Sequence, residues 1–184
     1  IDLLNRHFIN YINYGGYPKV IFSERLQSDP SRFVRHDIVD KVLLRDLPGL
    51  YGIQDTQELN RLFIHIVYRS ASEFSYEDLS KESGIKKETL KKYIQYLEVA
   101  YLIKVVNKID INARRMQRVT SFKMYLTNPS LRCALFSPLT ETDSILGNMV
   151  ETAIYAQWIP RGNTEIFYAN WKQGRNDGEV DMVG

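Results

Sequence analysis

Leu59, Leu62, Phe63 and Ile66 recur at intervals of three and four residues, the spacing that gathers side chains on one face of an α-helix. Asp55 precedes them with Glu58 three positions on. That pairing resembles a capping box, in which a side chain takes up a free amide of the first turn, so a helix is predicted to begin here. Ser75 opens a shorter stretch through Leu79 that Ser83-Gly84 ends. Further on, Leu90, Tyr93, Ile94 and Leu97 fall on one helical face, with Lys86, Lys87, Lys91, Lys92 and Gln95 mostly on the other. Two short helices joined by a tight turn at Ser83-Gly84-Ile85 form a helix-turn-helix. Residues 101–111 are rich in Ile and Val and predict a strand, and Arg114 and Arg115 sit in the connection to a second strand at 123–126. Helices followed by a β-hairpin with a basic loop make a winged helix.

The flanks are less regular. Residues 4–14 predict a helix broken at Gly15-Gly16-Tyr17-Pro18, where glycine permits positive φ and proline keeps its predecessor out of the α region. The glycine pair reads as a turn, because it lacks the Gly-Lys-Ser/Thr ending that holds phosphate. A second helix is expected over 33–45. Near Ser144, Leu146, Val150, Ile154 and Trp158 recur every four residues, predicting a helix with one buried stripe and Glu151 beside it. After Pro160-Arg161-Gly162-Asn163, a strand at 165–171 and a polar turn ending in Asp177-Gly178 lead to a last strand. There Val180 and Met182 point one way, and Glu179, Asp181 and Val183 the other. The expected organisation is α+β and mostly helical, with a helical region at 1–54, a winged helix at 55–136 and a short α/β unit at 137–184. The chain starts without methionine and stops within the last strand, whose unpaired edge would leave backbone groups unsatisfied; it is expected to be a piece of something larger.

Bulk chemistry narrows the function classes. With 44% hydrophobic and 25% charged residues and a formal net charge of +2, the expectation is a globular, cytoplasmic chain with no membrane association. Cys133 stands alone, so no internal disulfide is possible. His7, His36 and His65 lack neighbours at zinc-ligand spacing. DNA contact through a winged helix would draw on Lys86, Lys87, Lys91, Lys92, Arg114, Arg115 and Arg118. Against it, Glu88 and Glu98 dilute the basic face, Lys86 stands where a capping Ser or Asp would serve better, and +2 is modest for phosphate attraction. Glu151 and Asp181 could gather carboxylates of the kind that hold Mg²⁺ and activate water for phosphodiester cleavage. A pair such as Glu179 and Asp181 is more often a solvated strand face than a metal site, since two carboxylates without a third group bind Mg²⁺ poorly.

Gly15-Gly16-Tyr17-Pro18, Leu44-Arg45-Asp46-Leu47, Tyr51-Gly52-Ile53, residues 89–97, Lys123-Met124-Tyr125-Leu126, Leu146-Gly147-Asn148-Met149-Val150-Glu151 and Glu179-Val180-Asp181 occur in one order along essentially the whole chain. In that order they resemble the uncharacterised domain that follows the ATPase core in prokaryotic predicted AAA-superfamily ATPases. The resemblance implies a winged helix followed by a region similar to the restriction-endonuclease-like fold of PD-(D/E)XK nucleases. It implies Glu151 as the helix acid and Asp181 as the first strand acid, both for catalysis and for metal, and ATP with Mg²⁺ as cofactors of the parent protein. Three features depart from that pattern. A Glu-x-Lys on a following strand is absent, and with no lysine after Lys172 the group that would polarise the scissile phosphate or position water has no candidate. Asn128 stands where relatives tend to carry aspartate. No phosphate-binding Gly-x-x-x-x-Gly-Lys-Ser/Thr and no Asp-Glu strand end occur, so this chain alone cannot hydrolyse ATP. Two functions remain open. One is the recognition arm of an ATP-driven protein, touching DNA; the other is a protein-protein module docking on the missing ATPase core or on a second copy.

Overall fold

The computed structural model describes residues 2–109, 121–158, 165–173 and 176–184. The architecture is α+β and mostly helical, with one three-stranded and one two-stranded antiparallel sheet among the described residues. Helix α1 (Asp2–Tyr14) ends at Gly15, and Gly16 adopts φ of +87°. A Cβ on Gly16 would stand 2.4 Å from the Asn128 side chain, so this turn is glycine both for its backbone and for its contact. Short helices α2 (Pro18–Ile21) and α3 (Glu24–Gln27) follow. Helix α4 (Pro30–Phe33), capped by Asp29, runs on through wide π-type turns at Val34–Asp40 and Val42–Asp46 into α5 (Leu47–Tyr51). The helix expected at 33–45 is therefore longer at both ends. Its wide turns lie just before Pro48, which has no amide hydrogen to give and whose ring would crowd the carbonyl four residues back in a regular α-helix.

The middle of the chain follows its periodicity closely. Asp55 accepts from the Glu58 amide at 2.8 Å and starts α6 (Thr56–Tyr68). Ser75 caps α7 (Tyr76–Ser83) through the Asp78 amide at 3.0 Å, and Gly84 ends it at φ +74°. Helix α8 (Lys87–Val99) buries Leu90, Tyr93, Ile94 and Leu97. It ends with the Leu102 amide on the Leu97 carbonyl and the Tyr101 amide on the Glu98 carbonyl, which puts Tyr101 at φ +54°. Strand β2 (Ile103–Asn107) thus begins two residues later than expected and pairs with β3 (Phe122–Leu126) from Ile103↔Leu126 to Asn107↔Phe122. One element carried no sequence signal. The two-residue β1 (Glu73–Phe74), between α6 and α7, pairs with the other edge of β3 and makes the order β1-β3-β2. As the central strand, β3 is buried at all five positions.

Helix α9 (Leu146–Trp158) corrects the expected stripe: it buries Met149, Thr152, Ala153, Tyr155 and Ala156, while Ile154 and Trp158 are about half exposed. The small side chains of Ala153, Ala156 and Thr152 let the helix approach β3 closely, so a larger apolar row beside them yields the core face. The terminal hairpin also differs. Strand β4 (Phe167–Gln173) pairs with β5 (Asn176–Val183), placing Asp177 opposite Lys172 and Gly178 opposite Trp171 inside the strands. A Cβ on Gly178 would meet the Trp171 indole at 2.2 Å, so its glycine reflects ring contact and not a turn. The main core spans all three sequence blocks, from Ile12 and Leu43 through Phe63, Leu90 and Met124 to Met149 and Ala153; each such side chain contributes about 1.5–3 kcal/mol by leaving water. A second, aromatic core of Ala71, Val106, Tyr125, Tyr155 and Tyr168 seats the hairpin against the opposite face of β3.

Candidate functional site

Alternation along β3 sends Phe122, Met124 and Leu126 into the main core and leaves Lys123 and Tyr125 on the face covered by α9 and the hairpin. A lysine there must find acids or remain uncharged, because an isolated ammonium is strongly disfavoured away from water. It finds three. Lys123 Nζ lies 2.7 Å from Asp181 Oδ1, 2.8 Å from Glu179 Oε1 and 3.2 Å from Glu151 Oε1. An ammonium has three donors, and each meets a carboxylate. Tyr125 donates its hydroxyl to the same Glu151 Oε1 and stacks on Tyr155, one helical turn beyond Glu151, with ring centres 4.2 Å apart. The Tyr168 ring centre is 5.5 Å from Lys123 Nζ.

The lysine side chain is 5% exposed, against 47% for Asp181 and 51% for Glu179. Burial pulls the Lys123 pKa down, but its bonds to Asp181 and Glu179 and the charge of Glu151 outweigh burial and hold it well above the usual lysine range. Burial, and then the bond to Glu151, pushes the Tyr125 hydroxyl far above the ordinary tyrosine range. Both groups keep their protons at any physiological pH, which leaves neither as a base or nucleophile.

Glu151 and Asp181, the two acids singled out in the sequence, are thus brought to one point, joined by Glu179. The cation beside them is Lys123, which comes from upstream, 28 residues before Glu151 and 58 before Asp181, and is not the Glu-x-Lys lysine of a following strand. A charged residue inside the apolar run Phe122-Lys123-Met124-Tyr125-Leu126 was the available signal, since a strand buried on both faces admits a lysine only when it is paired. As arranged, the acids do not fit a divalent ion, because an ammonium already lies between them. Among the described residues, no group of three His, Cys, Asp or Glu is placed to hold a metal.

The basic face is a separate place. Lys86, Lys87, Lys91 and Lys92 are all exposed on α8 or at its start. Lys86 takes an extended backbone at the N-cap without a capping side-chain bond. Lys87 pairs with Glu77 at 2.5 Å and Lys91 with Glu88 at 2.8 Å, and Lys91 also lies 5.9 Å from the Tyr76 ring centre. Lys86 and Lys92 have no acidic partner among the described residues. Arg114, Arg115 and Arg118 lie outside the described residues. Asn128 accepts from the Ser130 amide at 3.0 Å and hydroxyl at 2.9 Å; the neutral side chain starts the turn at Pro129–Leu131 without needing a charge.

The fold and this cluster frame the comparison with known proteins. The chain belongs to the family described as Domain of unknown function (DUF8612), which matches residues 5–143. Lys123 and Tyr125 fall within that match, and Glu151, Glu179 and Asp181 beyond it. The chain is also similar to the uncharacterized protein MJ1544 of Methanocaldococcus jannaschii, at 22% identity over 98% of this chain and 40% of that protein. It therefore spans well under half the length of this curated relative. No solved structure matches it. Among the described residues no helix is long and apolar enough to cross a membrane.

Proposed function

We propose that the chain is a DNA-contacting module of a larger ATP-driven protein, with α8 as the element presented to the duplex. The observation that supports this reading is the connectivity α6-β1-α7-α8-β2-β3 with sheet order β1-β3-β2, an order of elements that a winged helix would also have. In it α8 turns Leu90, Tyr93, Ile94 and Leu97 inward and Lys86, Lys87, Lys91 and Lys92 outward. A helix so held can enter a major groove while its lysines meet phosphates. The arginines of the 110–120 connection would add the wing's contact. The greater length of the archaeal relative leaves room for an ATPase core that binds ATP and Mg²⁺. Phosphodiester cleavage is not part of the proposal, because Glu151 and Asp181 are engaged by Lys123. Fluorescence anisotropy with a labelled duplex at low salt tests it. Lys91→Glu with Lys92→Glu should weaken binding about tenfold or more, and the intact protein should lose affinity steeply with added salt; salt-independent or undetectable binding would refute it.

A second reading has its own support. Lys87 and Lys91 are partly neutralised by Glu77 and Glu88, and large apolar side chains stand open elsewhere, among them Leu3, Leu4, Phe22 and Leu50, each 66% exposed or more. Such surfaces suit a protein partner, either the ATPase core or a second copy. Light scattering across a concentration series separates the readings: a dimer lost on Leu4→Glu, with no DNA binding, would favour the interaction module.

A further inference from the structure

We propose that Lys123 is the resident cation of the Glu151–Glu179–Asp181 cluster, an internal counter-ion that fastens the β4–β5 hairpin to the body and thereby closes the cluster to divalent metal. The proposal is independent of DNA contact by α8. Three carboxylates from two different elements converge on a single point, and a cation must stand there for them to do so. The ammonium does, within 3.2 Å of one oxygen from each. Its origin makes the arrangement permanent. Lys123 sits at the middle of the sheet, paired with Glu73 across one edge and Val106 across the other, so its Cα cannot move aside without breaking both ladders. Its side chain is 5% exposed, leaving no solvated position to swing toward if a metal ion approached. The Tyr125 hydroxyl further occupies the Glu151 oxygen that faces the lysine.

The hairpin is tied to the body by backbone as well as by side chains: Lys108 bridges Tyr168, and the Ile109 amide donates to the Tyr168 carbonyl at 2.7 Å. It adds Tyr168, Ile166 and Met182 to the aromatic core, and Asn170 donates to the Glu73 carboxylate at 2.8 Å. On its second strand, Glu179 and Asp181 add their bonds to Lys123. An ammonium held by hydrogen bonds fastens the hairpin without dependence on metal supply; Lys123 acts as a positioning residue and takes no part in bond chemistry.

The test removes the cation while leaving its holders. Wild-type protein and Lys123→Ala are titrated with Mn²⁺ by calorimetry, and thermal unfolding is followed with and without the ion. Wild type should show no saturable Mn²⁺ site at millimolar concentration and no change in Tm. Lys123→Ala, whose three acids face a space of ammonium size, should gain a site and recover thermal stability on adding Mn²⁺, and Lys123→Ala with Asp181→Asn should lose both. Lys123→Met fills the space without charge and should bind no metal. Should Lys123→Ala fold too poorly to titrate and Mn²⁺ fail to restore it, the proposal is overturned. A second measurement leaves the lysine in place: Glu179→Gln with Asp181→Asn should speed amide exchange across β4 and β5 about tenfold, with α8 unchanged. Saturable Mn²⁺ binding by wild type, or hairpin exchange unmoved by the double change, would also overturn it.

Discussion

Lysine meets glutamate on α8 and again beneath β3, and the two encounters share their distances but little else. Lys87 and Glu77 come within 2.5 Å, and Lys91 and Glu88 within 2.8 Å, with every partner 46–81% exposed. Lys123 meets Asp181 at 2.7 Å with its own side chain 5% exposed. Water solvates the charges on α8 whether or not they pair, so each pair contributes about 0–1 kcal/mol and yields readily to a phosphate. Beneath β3, water cannot replace a partner that Lys123 loses, and breaking such a buried pair costs about 3–5 kcal/mol. Separation says which groups touch; burial says what the contact is worth. The same two residue types therefore make an exchangeable surface in one region and a fixed joint in the other.

That contrast is open to direct attack. Lys123→Met should destabilise the protein by roughly 3 kcal/mol in urea unfolding, the lower end of the buried range because Glu179 and Asp181 keep about half their surface in water. A loss below about 1 kcal/mol would erase the distinction between the regions. Its pH dependence follows from the raised Lys123 pKa. A raised value means stability fully present below the unfolded lysine's titration near pH 10.4 and lost only as pH rises through the folded value. The gap in Tm between wild type and Lys123→Met should therefore stay constant from pH 7 to about pH 10.

Asn13 supplies a buried neutral case. Its amide donates to the Leu139 carbonyl at 3.0 Å and accepts from the Leu139 amide at 2.8 Å, tying α1 to the segment before α9. Asn13→Ala leaves both backbone groups without partners and should cost about 2 kcal/mol by the same assay. His65 stands between the two regimes. Its Nε2 lies 3.1 Å from Glu82, without the alignment of a hydrogen bond. Burial lowers its pKa, with the charge of Glu82 acting the other way and Arg69 adding to the lowering. The unfolded chain then takes up a proton first as pH falls below about 6.5, so stability should drop by under about 1 kcal/mol toward pH 5, and the drop should shrink in His65→Gln. Smallest of all, Glu77→Gln should leave stability within about 0.5 kcal/mol while strengthening any duplex binding, since Lys87 loses its competitor.

Local grammar carried the central helices. Ser75, Gly84 and the row Leu90, Tyr93, Ile94 and Leu97 act over one or two turns of chain, within reach of periodicity and capping rules, and each stands where those rules put it. The convergence of Glu151 and Asp181 was also visible as an acid on a helix and an acid on the last strand. The rest depended on long-range contact. Strand β1 is two residues long, too short for any alternation to register, and exists because β3 offers it an edge. The buried row of α9 was chosen by which side chains were small enough for β3 to approach. Gly16 and Gly178 read as turn formers until Asn128 and Trp171 are seen against them.

What the amino-acid sequence determined by itself is the set of elements that satisfy their own needs locally: capped helices, their inward faces and the basic outward row of α8. Only the tertiary structure decided that Lys123 is the cation for three acids, because a lysine's charge state and worth depend on what surrounds it in space. Those surroundings come from segments 28 to 58 residues away, beyond the range of any helical or strand period.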